Sequence, residues 1–240
     1  MFNIKMAELV IKIDNKYDYL LNLCKDYIVS DDETVDFSVS ATAEEIQAEQ
    51  DSSESSFSKG YLESICVYRK IAAIIPRYNA FLFHSAVVEV DGEAYAFTAK
   101  SGVGKTTHIR LWKELLGEKV RIINGDKPIF KVFDDKVIAY GTPWCGKEGY
   151  NINTCAPLKA ICFVERGESN KIFDYEKSAA VGKIVHQIYI PKSSDDIIKL
   201  LNLLDSTMKL VDVWKLKCTI DIKAAQLSYN TMKGGQLNED

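Results

Sequence analysis

The apolar positions change period several times along the chain, and each change marks an element. The stretch "NIKMAELVIKI" (3–13) partly alternates and reads as a strand, while "YDYLLNLCKDYIV" (17–29) spaces its apolar residues as a helix does. Alternation returns in "TVDFSVSA" (34–41). Residues 42–60 are acidic and serine-rich: Thr42 with Glu45 three positions on has the form of a capping box, and 51–60 reads as a loop. That loop is the best internal boundary. From Tyr61 the residues Leu62, Ile65, Cys66, Ile71 and Ile74 fall near helical spacing, and the run stops at Pro76.

Beyond Pro76 the period becomes that of strands. "FLFHSAVVEV" (81–90), the turn residues Asp91 and Gly92, and "EAYAFTA" (93–99) form a hairpin pattern. A helical stretch, "TTHIRLWKELLG" (106–117), is followed by the short strand "KVRIING" (119–125) and by a second hairpin, "PIFKVFDDKVIAYGT" (128–142), turning at Asp134 and Asp135. "LKAICFVE" (158–165) reads as a buried strand. Helices are expected over 177–188, 194–207 and 222–233, with a frayed polar tail after them.

Composition narrows the class. The 240 residues suffice for one large domain or a domain with an appendage. Thirty basic against 34 acidic residues leave a net charge of −4, which attracts neither nucleic acid nor an anionic membrane, so any phosphate recognition must be local. The six cysteines lack CxxC spacing and sit mostly among apolar neighbours, as in a reducing cytosol. No apolar run approaches the ~18–20 residues that span a bilayer. A cytoplasmic protein with no nucleic-acid or membrane partner is the expectation.

The candidate chemistry lies in "AKSGVGKT", Ala99 to Thr106, between the end of a strand pattern and the start of a helical one. Walker-type loops take that place because backbone N–H groups and the helix dipole converge there on phosphate oxygens. Glycine allows positive φ and close approach. Alanine replaces the first glycine of G-x-x-x-x-G-K-[ST]. Lys100, Ser101, Gly102, Val103, Gly104, Lys105, Thr106 and Thr107 are therefore the candidate ATP-binding residues, with Lys105 on the β and γ phosphates and the Thr106 hydroxyl on Mg²⁺. The competing reading is a glycine-rich turn that only caps a helix. A metal on a triphosphate calls for a carboxylate on a neighbouring strand, and Asp126, 21 residues after Lys105, has room to return beside the loop. It also reads as an ordinary turn aspartate before Lys127 and Pro128.

His84 lies in the strand entering the first hairpin, 21 residues ahead of Lys105. By itself such a histidine is a core residue more often than a catalyst. Together with the Walker loop, the "DG" hairpin and the aspartate after the next strand, it resembles the HPr kinase/phosphorylase family, and more remotely ATP-dependent phosphoenolpyruvate carboxykinase. The motifs "FTAKSGVGKTTHIRLW", "GDKP" and "GTPWCGK" are similar to those of a group of bacterial HPr-kinase-like proteins.

The resemblance covers about residues 80–165. It implies an α/β fold, a P-loop kinase-like mixed sheet flanked by helices over 61–240, while the strand, helix and acidic segment of 1–60 read as a small N-terminal α+β subdomain or appendage, either docking the substrate or lidding the sheet edge. It implies ATP and Mg²⁺ as cofactors, His84, Lys105 and Asp126 as catalytic residues, Thr106 and Asp126 as metal ligands, and a serine of a small protein or peptide as acceptor. The family's hexamers leave a homo-oligomer open. Trp144 and Lys147 are further candidates, for packing and for phosphate contact, or else an ordinary hairpin end. Two departures stand out: the arginine expected before the core strand is missing, and Gly125 replaces the first of two aspartates. Gly125 favours either a slow kinase, in which Gly125→Asp would raise transfer, or a nucleotide-binding accessory protein. A carboxykinase-like enzyme on a small acid is the third reading.

Overall fold

The computed structural model describes residues 1–100 and 102–234. Two sheets organise it. The first is four-stranded, in the order β3-β1-β2-β4, from β1 (Phe2–Met6), β2 (Leu9–Asp14), β3 (Ile28–Val29) and β4 (Phe37–Ser40). The single strand expected over 3–13 is a hairpin, because Ala7 and Glu8 take φ of 50° and 63° and reverse the chain without glycine. The helix expected over 17–29 is only α1 (Asp18–Leu23) followed by a 3-10 turn, since residues 28–29 leave to pair with β1.

Helix α2 (Ala43–Asp51) starts on the capping box, with the Thr42 hydroxyl accepting from the Glu45 N–H and the Glu45 carboxylate accepting from the Thr42 N–H. Helix α3 (Lys59–Ile74) buries Leu62, Cys66, Val67 and Ile71 against the small sheet. The same cluster takes in Ile129, Tyr140 and Trp144 from the rest of the chain, so α3 is the seam between the two sheets.

The second sheet has nine strands. Seven run in the order β5-β9-β10-β11-β7-β6-β8: β5 (Ala80–Leu82), β6 (Ala86–Val90), β7 (Glu93–Thr98), β8 (Arg121–Asn124), β9 (Ile129–Val132), β10 (Val137–Tyr140) and β11 (Cys155–Arg166). On β11 are added β13 (Asp212–Cys218) and, outside it, β12 (Lys171–Asp174). Strands β7, β11 and β13 are mutually parallel and most other pairs are antiparallel, as a mixed sheet requires. Helices α5 (Lys177–Ile184) and α6 (Ser194–Leu210) cover one face through Ala180, Ile184, Leu200 and Leu204. Helices α4 (Lys105–Leu116) and α7 (Ile222–Met232) cover the other through Ile109, Trp112, Ala225 and Met232. The chain is thus a mixed α/β fold with helices on both sheet faces and a small N-terminal sheet.

The strand expected over 81–90 is broken, and the break carries His84. Between β5 and β6 the N–H groups of Phe83, His84 and Ser85 turn away to the carbonyls of Pro128, Gln187 and Asp126, at 3.2, 2.6 and 3.2 Å. No local signal marks this, because the competing acceptors lie far along the chain.

Candidate active site

The site is assembled at the C-terminal end of β7. After Thr98 the chain loops through Gly102 and Gly104, at φ of 76° and 128°, values that a side chain rarely adopts, and enters α4 at Lys105. A Cβ on Gly102 would meet nothing within 4 Å, so the loop borders open space. The N–H groups of Thr106 and Thr107 find no acceptor among the described residues, as first-turn donors do not. The Val103 N–H is bonded to the Lys100 carbonyl at 3.3 Å, and the Lys100 side chain is exposed. Ser101 lies outside the described residues.

Lys105 is 8% exposed. Its ammonium turns back under the loop, 3.4 Å from the Ala99 carbonyl and 3.2 Å from His84 Nε2. His84 Nε2 is also 2.8 Å from Asp126 Oδ1, whose second oxygen faces Lys127 Nζ at 3.1 Å. One ring nitrogen cannot donate to the carboxylate and accept from the ammonium at once. The shorter, charge-assisted contact assigns the proton to the side of Asp126. Lys105 is then held by the Ala99 carbonyl and by the Asp126 charge, an arrangement that gives up little when an anion approaches.

The electrostatics follow from burial and these neighbours. Burial pushes the Lys105 ammonium below its usual range, while Asp126 opposes that shift. For Asp126 burial alone would push the carboxyl up; the His84 hydrogen bond and Lys127 outweigh it and hold the group at about 2. His84 itself is fixed from behind by the Thr98 hydroxyl, which donates to its carbonyl at 3.0 Å.

Asp126 owes its place to Asn124, which the sequence did not single out. Asn124 is fully buried, and its Oδ1 accepts the N–H groups of Asp126 and Lys127 at 2.8 and 2.7 Å. Its Nδ2 donates to the carbonyls of Thr142 and Trp144 at 3.0 and 3.3 Å. One carboxamide therefore locks the aspartate turn to the "GTPW" segment. An Asx-type turn after a strand was the available signal; the tie to Thr142 was not readable.

Gly125 is a point of close approach. A Cβ there would stand 3.0 Å from the Cys145 carbonyl and 3.3 Å from Tyr150 Cβ, so the 145–150 segment occupies the place of the expected first aspartate side chain. That segment is tied to α4, where Arg110 pairs with Glu148 and donates to the Tyr150 hydroxyl. Lys147 is exposed, with no hydrogen-bond or ion-pair partner among the described residues. Trp144 is buried, lies tilted against Tyr68 of α3 with ring centroids 5.6 Å apart, and leaves its indole N–H unpartnered among the described residues.

The two other prominent side chains of the loop motif turn inward. The Ser228 hydroxyl of α7 accepts from Trp112 Nε1 at 2.8 Å, meets His108 Nε2 at 3.0 Å and donates to the Ala225 carbonyl at 3.0 Å. They fasten the helix that carries the loop.

The site suits a magnesium-bound polyphosphate. Two glycines leave an open cradle, a buried ammonium lies beneath it, and an ionised carboxylate stands beside that ammonium. Among the described residues no group of three His, Cys, Asp or Glu side chains could hold a metal.

Neither a protein-family model nor a curated protein matches the sequence. Among solved structures, the Hpr(Ser) kinase/phosphatase from Coxiella burnetii matches with a TM-score of 0.33 and 10% sequence identity, over 64% of this chain and 99% of that one. A likeness of that size carries nothing about activity. Among the described residues no helix is long and apolar enough to cross a membrane.

Proposed function

We propose that the chain is an ATP-dependent kinase that transfers the γ-phosphoryl group to a hydroxyl, most simply a serine of a small protein or peptide. The observation that carries this reading is the line of contacts from Lys105 through His84 to Asp126 at the foot of the glycine loop. Phosphoryl transfer asks for little covalent chemistry from the protein and much positioning and charge. When bound, magnesium ATP supplies the transferable phosphoryl group and a cation that neutralises its charge.

The residues supply the rest. The loop N–H groups and Lys105 bind the phosphate chain, Thr106 and Asp126 hold the metal, and His84 stands where the γ-phosphoryl group meets its acceptor. A carboxylate held at about 2 is a weak proton acceptor, which suits Asp126 better to the metal than to the acceptor proton. To serve there it must release Lys127, which rests on its second oxygen.

Gly125 favours a second reading, a nucleotide-binding accessory protein without transfer, because a second carboxylate there would already press its Cβ on the Cys145 carbonyl and Tyr150. Incubation with γ-labelled ATP and serine-containing peptides separates the two. Label passing to a hydroxyl, and lost in Asp126→Asn, supports the kinase; tight nucleotide binding with no transfer to any acceptor supports the accessory protein.

A further inference from the structure

Lys127 follows Asp126 in a turn whose backbone polar groups are all bonded. The N–H groups of both residues donate to Asn124 Oδ1, and Pro128 has none to place. The Asp126 carbonyl accepts from the Ser85 N–H at 3.2 Å, the Lys127 carbonyl from the Thr142 hydroxyl at 2.7 Å, and the Pro128 carbonyl from the Phe83 N–H at 3.2 Å. Such a turn fixes where its side chains begin. The flexible four-carbon stem of Lys127 is left free to move.

What that stem carries is loosely held. Its ammonium has three donors and, among the described residues, one partner, Asp126 Oδ2 at 3.1 Å. The two side chains are 28% and 26% exposed, and a pair so open to water contributes little to the fold. Asp126 does not need Lys127 for its position, since Asn124 sets its backbone and His84 Nε2 stands 2.8 Å from its other oxygen. Lys105, His84, Asp126 and Lys127 thus make a row of contacts that starts under the glycine loop and ends at Lys127. Burial lowers the Lys105 ammonium first of all, Asp126 opposes that, and the Lys127 charge lowers it further, so the two ammonium groups feel each other across one carboxylate.

From this mobile surplus of positive charge we propose that Lys127 recognises the terminal phosphate of the nucleotide, exchanging Asp126 for it, and thereby separates ATP from ADP. The inference rests on the phosphate-binding reading of the loop and on Asp126 as a metal ligand. Lys127 is repelled from a carboxylate that holds a divalent cation, because like charges a few ångströms apart cost free energy. A phosphate chain laid over Lys105 and continued along the row ends beside it, and the ammonium moves there. With ADP the last phosphate is missing, so Lys127 stays on Asp126 and competes with the metal. No proton moves in the exchange.

Calorimetry on the full chain with ATP and with ADP, across a magnesium titration, tests this in wild type, Lys127→Met and Lys127→Arg. In saturating magnesium the preference for ATP over ADP should fall about tenfold in Lys127→Met, the loss of one charge-assisted contact, and the fall should lie in ATP binding. Lys127→Arg, which keeps the charge, should keep most of the preference. The magnesium concentration at which ADP binding is half-maximally strengthened should drop severalfold in Lys127→Met, since Asp126 has lost a competing cation. Equal weakening of ATP and ADP, with that magnesium midpoint unchanged or raised, makes Lys127 a brace of the turn and overturns the exchange. An ATP preference that survives intact in Lys127→Met also overturns it, while leaving the phosphate loop standing. Binding of neither nucleotide to wild type overturns the phosphate reading and this inference together.

Discussion

Mild acid should loosen the helix that carries the glycine loop, and the amount can be worked out from one buried ring. His108 is 3% exposed, its Nε2 meets the Ser228 hydroxyl, and burial holds its pKa at about 4 against the ordinary 6.5. In the unfolded chain the ring takes its proton near the ordinary value; in the fold it takes it only near 4. Since the unfolded state binds the proton first, stability falls as the pH drops below about 6.5, and the loss is complete near 4. At about 1.36 kcal/mol per unit the loss approaches about 3 kcal/mol, or about 6–12 °C in melting temperature for a chain of this size. The assay is urea unfolding between neutral pH and about pH 4.5, comparing wild type with His108→Gln, whose amide can still donate to Ser228. The variant should keep most of the stability that wild type loses over this range. Asp126, held at about 2, loses its contribution only below about pH 4, outside the window. Parallel acid losses in the two proteins would mean that His108 is not the group whose protonation loosens the helix.

Other expectations follow from the same contacts. Ser228→Ala strips the acceptor from two buried donors, the Trp112 indole and the His108 ring, and should cost about 2–4 kcal/mol in chemical denaturation while leaving the loop sequence intact. Asp126→Asn should bring nucleotide affinity in magnesium and in EDTA to nearly the same value by calorimetry, and slow any transfer at least a hundredfold, the order expected for a lost metal ligand; an unchanged magnesium dependence would place the metal elsewhere. Gly125→Asp should lower stability by about 1–3 kcal/mol, because its side chain meets Cys145 and Tyr150, and should not raise transfer. A faster Gly125→Asp enzyme would restore the simpler comparison with paired-aspartate kinases.

The loop, its entering hairpin and its outgoing helix were legible because each is specified locally: alternation and an Asp91–Gly92 turn before, two glycines within, and helical periodicity after. The partnership of Lys105, His84 and Asp126 could be anticipated only from spacing and resemblance, since its contacts depend on how β6 lies between β7 and β8. The break at His84 was hidden because residues 126–128 and 187 supply the acceptors that cause it. Asn124 and Ser228 were hidden for a similar reason: one joins β8 to Thr142 and Trp144, the other joins α7 to a helix more than a hundred positions earlier. The N-terminal hairpin escaped notice because Ala7 and Glu8 are not turn formers, and only the pairing of β1 with β2 holds them at positive φ.

The proposed function stands or falls on whether residues 100–107 cradle the phosphates of a nucleotide with Lys105 as their buried cation. Its most direct test is the melting temperature of wild type and Lys105→Ala with and without saturating magnesium ATP. A ligand at a hundred times its dissociation constant stabilises the fold by about 2.7 kcal/mol, or about 5–10 °C here. Wild type should show that shift, Lys105→Ala should lose most of it, and the unliganded variant should melt within a few degrees of wild type. An equal shift in both proteins, or none in either, would contradict it.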